Sequence, residues 1–305
     1  MFSHTCFNLP IVGSSYGFCT LNPKMNPFGA LLLALLGVVF APLAFADDEA
    51  SVQSDSPFDY KFYLGVGVGI EKFDTNFKFT DKATGRDVFL DAEDDLGLPE
   101  TKTIPMIYGV YRPSTKHGFG FSFFRINRES TLLDIDKSLG DLRVKGDVTL
   151  SDKTRFYYAS YNYTLFDNDR TFVFASLGVY GLDLKYQLAA QGELSIRDIP
   201  IKAKAYEESV NQFAPLPLIG IDVWHALTPK WLLSAKLSVV GGSYQEVSAF
   251  VYQSRIRVRY RFSERTAFSF GVNYLDADIE IDQKERIIDI GYGFSGAILG
   301  FDFRF

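Results

Sequence analysis

Thiols and histidines are scarce. Of 305 residues two are Cys and three are His, and both cysteines, Cys6 and Cys19, precede an apolar run of export-signal character. A processed chain would carry no thiol, which removes disulfide, zinc-thiolate and thiol-nucleophile chemistry. A basic excess is also missing. With 31 basic and 37 acidic residues the formal charge is -6, so the chain cannot neutralise a phosphate backbone, and nucleic acid is excluded as a partner. Long hydrophobic segments are limited to residues 30–40, fewer than the roughly 20 that a spanning helix requires. Helical periodicity is hard to find, and there is no Gly-x-Ser-x-Gly elbow.

Aromatic residues are plentiful, at 16% of the chain. Near the N-terminus, Pro42 follows the apolar run, and Ala44-Phe45-Ala46 forms a small-x-small peptidase site ahead of Asp47, Asp48 and Glu49. This pattern reads as a cleaved secretory signal within a leader of residues 1–46. Lys24 precedes Met25, so a start at Met25 leaves only the α-amino group as positive charge, whereas a start at Met1 makes the leader long. Met25 is the preferred start, and Met1 stays open. Residues 47–57 form a short polar linker, followed by one domain at 58–305.

That domain alternates with period two. In its first segment Tyr60, Phe62, Leu64, Val66, Val68 and Ile70 share one face, while Lys61, Tyr63, Gly65, Gly67, Gly69 and Glu71 share the other. Between Tyr252 and Phe262, Ile256, Val258, Tyr260 and Phe262 alternate with Arg255, Arg257, Arg259 and Arg261. Short polar connections fall at 113–118, 167–170, 226–230 and 263–266, and longer polar segments at 75–102, 129–147, 187–212, 241–248 and 276–286. Four turns and five loops make nine connections, hence about ten strands in up-and-down order. The expected fold is all-β, a closed antiparallel transmembrane β-barrel, because hydrocarbon gives an open sheet edge no hydrogen-bond partner. Val66, Val68, Phe121, Phe123, Val173, Leu177, Ile219, Val223, Leu237, Val258, Phe270 and Phe301 are expected to face lipid. Tyr111, Tyr163, Phe166, Trp224, Trp231, Tyr260 and Phe262 are expected to form an aromatic girdle. Ile288, Ile290, Tyr292 and Phe294 fall on the opposite parity from Phe301, Phe303 and Phe305, which suggests a bulge near Ser295. The soluble rival is a β-sandwich or lipocalin-like barrel that would bury the ring-rich face.

The terminal Phe301, Phe303 and Phe305, spaced by two, resemble the C-terminal signature of bacterial outer-membrane barrels, which implies recognition by the barrel-assembly machinery. Asp94-Asp95-Leu96-Gly97-Leu98, followed by Tyr111-Arg112 and by Phe119 to Phe124, is similar to a poorly characterised family of bacterial outer-membrane proteins. The resemblance implies an outer-membrane location and carries no activity.

Inside such a barrel, Lys61, Lys236, Arg255, Arg257, Arg259 and Arg261 are expected to meet Glu71, Asp222 and Asp302 in a charge network that largely fills a polar lumen. The alternative is a narrow, anion-preferring channel walled by the arginine row. The inward glycines suit both. A third reading, a barrel enzyme acting on lipid or peptide, is disfavoured, because His117 and His225 both adjoin short turns, away from the long-loop end. The cluster Asp91, Glu93, Asp94, Asp95 and Glu100 is either a solvated acidic loop or a divalent-cation site, with no EF-hand spacing. The resulting expectation is a non-enzymatic barrel without a cofactor. Its partners would be membrane lipid, lipopolysaccharide and extracellular ligands met through long external loops.

Overall fold

The computed structural model describes residues 60–139, 142–168, 170–196, 199–200 and 205–305. The leader, Met25, the cleavage residues Ala44, Ala46 and Asp47, the linker and residues 58–59 lie outside the described residues. The strands are β1 (Phe62–Asp81), β2 (Arg86–Asp91), β3 (Thr101–Tyr111), β4 (His117–Arg125), β5 (Arg128–Leu139), β6 (Leu142–Asp152) and β7 (Arg155–Asp167). There follow β8 (Thr171–Ile196), β9 (Ile199–Pro200), β10 (Ala205–Ala226), β11 (Trp231–Tyr244), β12 (Val247–Arg261), β13 (Thr266–Asp282) and β14 (Arg286–Arg304). Ten of them, β1, β3, β4, β7, β8 and β10 to β14, pair antiparallel in succession, and β14 returns to β1 from Tyr63↔Arg304 to Asp81↔Arg286. The barrel is closed, with no free edge along its circumference.

The four short turns fall where expected, but the five long segments are mostly strand. β8 has 26 residues and β10 has 22, at least twice the roughly 9–11 that a tilted crossing takes. β11 and β12 reverse through Gln245 and Glu246 alone, with Gln245 at φ 55. The polar character of these segments reflects strands that continue above the bilayer, where the outward face of the wall no longer needs to be apolar.

The outward row of β1 marks the boundary. Val66, Val68 and Ile70 are exposed, and Lys72, Asp74 and Asn76 continue the same row. Outward Phe121, Phe123, Leu177, Ile219, Phe270 and Phe301 are likewise exposed apolar groups, while Val173, Leu237 and Val258 are half-buried. Val223 is the exception, buried although its parity points outward between Val173 and Ala235. Among the expected girdle rings Tyr111, Tyr163, Phe166, Trp231 and Phe262 are exposed and Tyr260 is half-buried. Trp224 is not in the girdle. Its even position on β10 turns it into the lumen, where it is buried.

No bulge interrupts β14, whose register runs unbroken against both β1 and β13. Ile288, Ile290, Tyr292, Phe294 and Ile298 point inward, and so do Asp302 and Arg304 further down the same face. The apolar face changes sides because the barrel interior itself changes, from apolar at the extracellular end to charged at membrane depth. β12 repeats this: Val247, Ala249 and Val251 precede Gln253, Arg255, Arg257 and Arg259 on one inward face.

Above the membrane β5 and β6 form a hairpin that adds to β8 through β6 (Leu142↔Ile196 to Asp152↔Tyr186), and β2 folds back on β1. β2 lies against β5 with no backbone ladder between them, leaving a seam in the raised wall. Side chains close it. Arg128, fully buried, donates from Nε and Nη2 to Asp152 Oδ2 (3.0 and 2.9 Å), from Nη2 to Thr75 Oγ1 (2.8 Å) and from Nη1 to Glu93. Its guanidinium lies 4.2 Å from the centre of the Phe73 ring. Burial, which acts against the charge, is outweighed by Tyr292, Asp152, Tyr186 and Glu93, so the guanidinium is held protonated above its ordinary range.

Two outcomes follow. Replacing Arg128 with Met leaves Asp152 and Glu93 buried without their cation, and the denaturant midpoint of the refolded barrel is expected to fall by an amount equivalent to about 3–5 kcal/mol; a loss under ~1 kcal/mol would show the seam is closed by something else. Ile219→Arg on the lipid face should cost about 2–4 kcal/mol in bilayers. Asp276→Arg, in the raised wall, should change stability by no more than ~0.5 kcal/mol, and equal losses at the two sites would contradict the placement of the apolar belt.

Candidate functional site

The interior has three layers. The extracellular half is a packed apolar core that includes Phe73, Phe77, Phe156, Tyr180, Leu216, Leu218, Leu275 and Phe294. This corrects the expectation of a polar lumen throughout. At the short-turn end Tyr60, Tyr63, Phe172, Phe174 and Trp224 cluster, and the buried Arg112 guanidinium lies 4.8 Å from the Phe172 ring centre and 5.9 Å from that of Tyr60. Arg304 covers the other side of Tyr60 at 5.2 Å. Between these layers sits a belt of charge.

β12 supplies most of the belt, because period-two alternation sends Arg255, Arg257, Arg259 and Arg261 to one inward face. Arg259 Nε donates to Asp302 Oδ2 at 2.6 Å, and its guanidinium lies 4.7 Å from the Tyr63 ring centre and 5.4 Å from that of Trp224. Tyr108 of β3 donates its hydroxyl to Asp302 Oδ1 at 2.8 Å. That ring occupies the space inside Gly65, where any Cβ would collide with it and with Asp302. Gly65 therefore makes room for a tyrosine, while a Cβ at Gly67 would meet the Leu299 carbonyl and one at Gly69 the Glu71 side chain. Opposite, Trp224 Nε1 donates to Asp222 Oδ1 at 2.7 Å, while Lys236 donates to the Tyr158 hydroxyl at 2.7 Å and lies over that ring at 3.9 Å. Glu71, 1% exposed, accepts from the Asn273 amide nitrogen at 3.1 Å once that amide is turned to the orientation its neighbours require.

Arg257 differs from its neighbours. It is 4% exposed and stacks 4.3 Å from the Tyr108 ring centre, yet its Nε and Nη2 have no hydrogen-bond partner, and Arg255 Nε has none either. Both arginines line a cavity of about 80 Å³ whose walls include Tyr158, Ser160, Asn162, Asp222, Ser234, Lys236 and Gln253. A second, smaller void of about 20 Å³ adjoins Glu71, Arg255 and Asn273.

The structure thus brings Glu71, Asp222, Lys236, Arg255, Arg257, Arg259 and Asp302 into the barrel interior. Lys61 stands apart: it precedes β1, is exposed, and its backbone N–H donates to Phe305 O at 3.3 Å. Arg261 is half-buried at the short-turn end, its N–H bonded to Lys230 O at 2.8 Å. Phe301, Phe303 and Phe305 form an exposed outward row, with the Phe301 and Phe303 ring centres 5.3 Å apart. In the first loop Glu93 accepts Thr75 N at 2.8 Å and pairs with Arg128, Asp91 Oδ1 accepts the N–H groups of Glu93 (2.9 Å) and Asp94 (2.7 Å), and Asp95 Oδ2 accepts Asp91 N at 2.9 Å. Glu100 pairs with Lys72 at 3.3 Å. These carboxylates shape a turn and hold the seam. Sequence reasoning missed Tyr108, Tyr158 and Arg304 as parts of the interior, although even-odd parity on β3, β7 and β14 already places each inward, and it set Tyr60 on the outward face, where the structure buries it in the ring cluster. Arg128 and Asp152 carry no such signal, since both fall in or beside a stretch that reads as polar loop.

No family model matches the sequence, and no curated protein does. Among solved structures the barrel is similar to the outer-membrane protease OmpT of Escherichia coli, with a TM-score of 0.55 at 11% identity over 84% of this chain and 99% of that one. OprG of Pseudomonas aeruginosa aligns at a TM-score of 0.38 with 7% identity over 82% of this chain and 100% of that one, a level that carries no argument. The likeness is one of fold: the chain has the architecture of a bacterial outer-membrane β-barrel.

Proposed function

We propose that the chain is a closed, non-enzymatic outer-membrane barrel that acts through the surface its strands raise above the bilayer, and that it is not a conduit. The observation carrying this reading is the double seal of the interior. An ion crossing the barrel would have to displace Tyr180, Leu216, Leu218 and Leu275, all at 2% exposure or less, and then pass the rings gathered around Arg112. A dry apolar plug of that depth offers a hydrated ion no replacement for its water.

The raised wall presents a different chemistry. Lys72, Asp74 and Asn76 on β1 and Asp276, Asp278 and Glu280 on β13 share its outer face, held on paired backbone in place of free loops. A rigid, charged sheet just above the lipid suits contact with lipopolysaccharide or with an extracellular ligand. Hydrolytic chemistry is disfavoured by the positions of the described histidines. His117 Nδ1 lies 2.6 Å from the Tyr161 hydroxyl and His225 Nδ1 2.9 Å from Thr171 Oγ1, both at the short-turn end. The outward Phe301, Phe303 and Phe305 row is free to be read by the barrel-assembly machinery.

Planar-bilayer recordings on refolded protein are expected to give a quiet baseline, unchanged in Arg257→Ala. Reproducible anion-selective steps that Arg257→Ala and Arg259→Ala abolish would overturn this reading in favour of a narrow anion channel.

A further inference from the structure

We propose that the mid-barrel cavity is a binding site for one small oxyanion, phosphate- or sulfate-like, held by the free edge of Arg257. No path through the barrel is needed: the ion is enclosed when the wall closes around it, so each sample is refolded in the salt under test. It starts from a comparison of three buried arginines in one molecule. Arg128 gives its Nε and Nη2 edge to Asp152, and Arg259 gives its Nε to Asp302. Arg257 presents the same Nε and Nη2 edge, equally buried, and no protein acceptor meets it. Two parallel N–H groups on one side of a guanidinium match two oxygens of a carboxylate or phosphate.

The charge balance points the same way. The belt holds four cations, Lys236, Arg255, Arg257 and Arg259, against three carboxylates. Asp302 is taken by Arg259, Asp222 faces Lys236 across the β10–β11 register, and Glu71 shares the smaller void with Arg255. Arg257 is the cation left over. Water in the cavity would not supply the missing charge, and a buried uncompensated charge is among the costliest features a fold can keep. The cavity is large enough for an ion with water: its volume of about 80 Å³ is well above the ~10–15 Å³ that a single water takes. Asp222 is the one carboxylate on its wall, and its Oδ1 is engaged by Trp224.

The test is the thermal midpoint of the full refolded chain in detergent, at fixed ionic strength, in sodium phosphate, sulfate, chloride or gluconate. The last is too large for the cavity. Phosphate and sulfate are expected to raise the midpoint over gluconate, by about 5–10 °C at a hundredfold excess over the dissociation constant. Arg257→Met should abolish that rise, while Arg265→Gln, in an exposed turn, should keep it. Equal midpoints in phosphate and gluconate, the same rise in Arg257→Met, or a chloride effect matching that of phosphate would each overturn the proposal. If Arg257→Met does not fold, crystals of the unmodified chain grown in selenate decide it: an anomalous peak within hydrogen-bond distance of Arg257 Nε and Nη2 is expected, and waters alone would refute it.

Discussion

A strand in hydrocarbon finds no water for its amides and carbonyls, so every one of them must be paired within the sheet. The rest of this structure depends on that constraint. It forces β14 back onto β1 and holds β8 against β10 through an unbroken ladder from His225↔Thr171 to Ala205↔Gln191. Once the wall closes, each residue has only two destinations, lipid or lumen, and neighbours alternate between them. The arginines of β12 are inside because Ile256, Val258 and Tyr260 have to be outside. The charge belt is thus as much a product of closure as of any function it serves.

Closure also explains why some features can be read from the sequence and others cannot. The strand count, the four short turns and the inward placement of Arg255, Arg257, Arg259 and Asp302 follow from period-two patterning and turn chemistry, which are local. The apparent parity conflict in β14 is not local. It dissolves only when Tyr292 and Phe294 are seen to pack against Phe73 and Phe156, residues contributed by other strands. The long polar segments misled for a related reason. Above the bilayer the outward face of a strand turns polar, so Asp276, Asp278 and Glu280 look like loop while pairing regularly with Tyr252, Phe250 and Ser248. Val223 marks the limit of parity, being shielded on the outer face, whereas Trp224 obeys it: its even position turns it into the lumen although its ring and its place beside a short turn suggest the girdle.

The interior uses the same chemical pair, arginine with carboxylate, in two settings. Arg128, paired with Asp152 within the β5–β6 hairpin, reaches Glu93 and Thr75 across a seam that no backbone ladder crosses, and Arg259 with Asp302 joins β12 to β14 across the inward face of β13. Buried ion pairs of this kind hold geometry more than they add stability. Their value here is positional. Arg128 ties β5 to β1 and the first loop where no ladder runs, and the unfilled edge of Arg257 stands out against the filled edges of Arg128 and Arg259.

The central claim is that lipid and lumen alternate along each strand up to one level, above which the outer face meets water. Nitroxide labels placed one at a time along β13, in bilayers, measure this directly by collision with oxygen and with a water-soluble nickel chelate. The account predicts oxygen-dominated exposure at Phe268, Phe270 and Val272, protection from both at Ser269 and Ala277, and chelate-dominated exposure at Asp278 and Glu280. Chelate access at Phe270, or lipid-like exposure at Glu280, would contradict it.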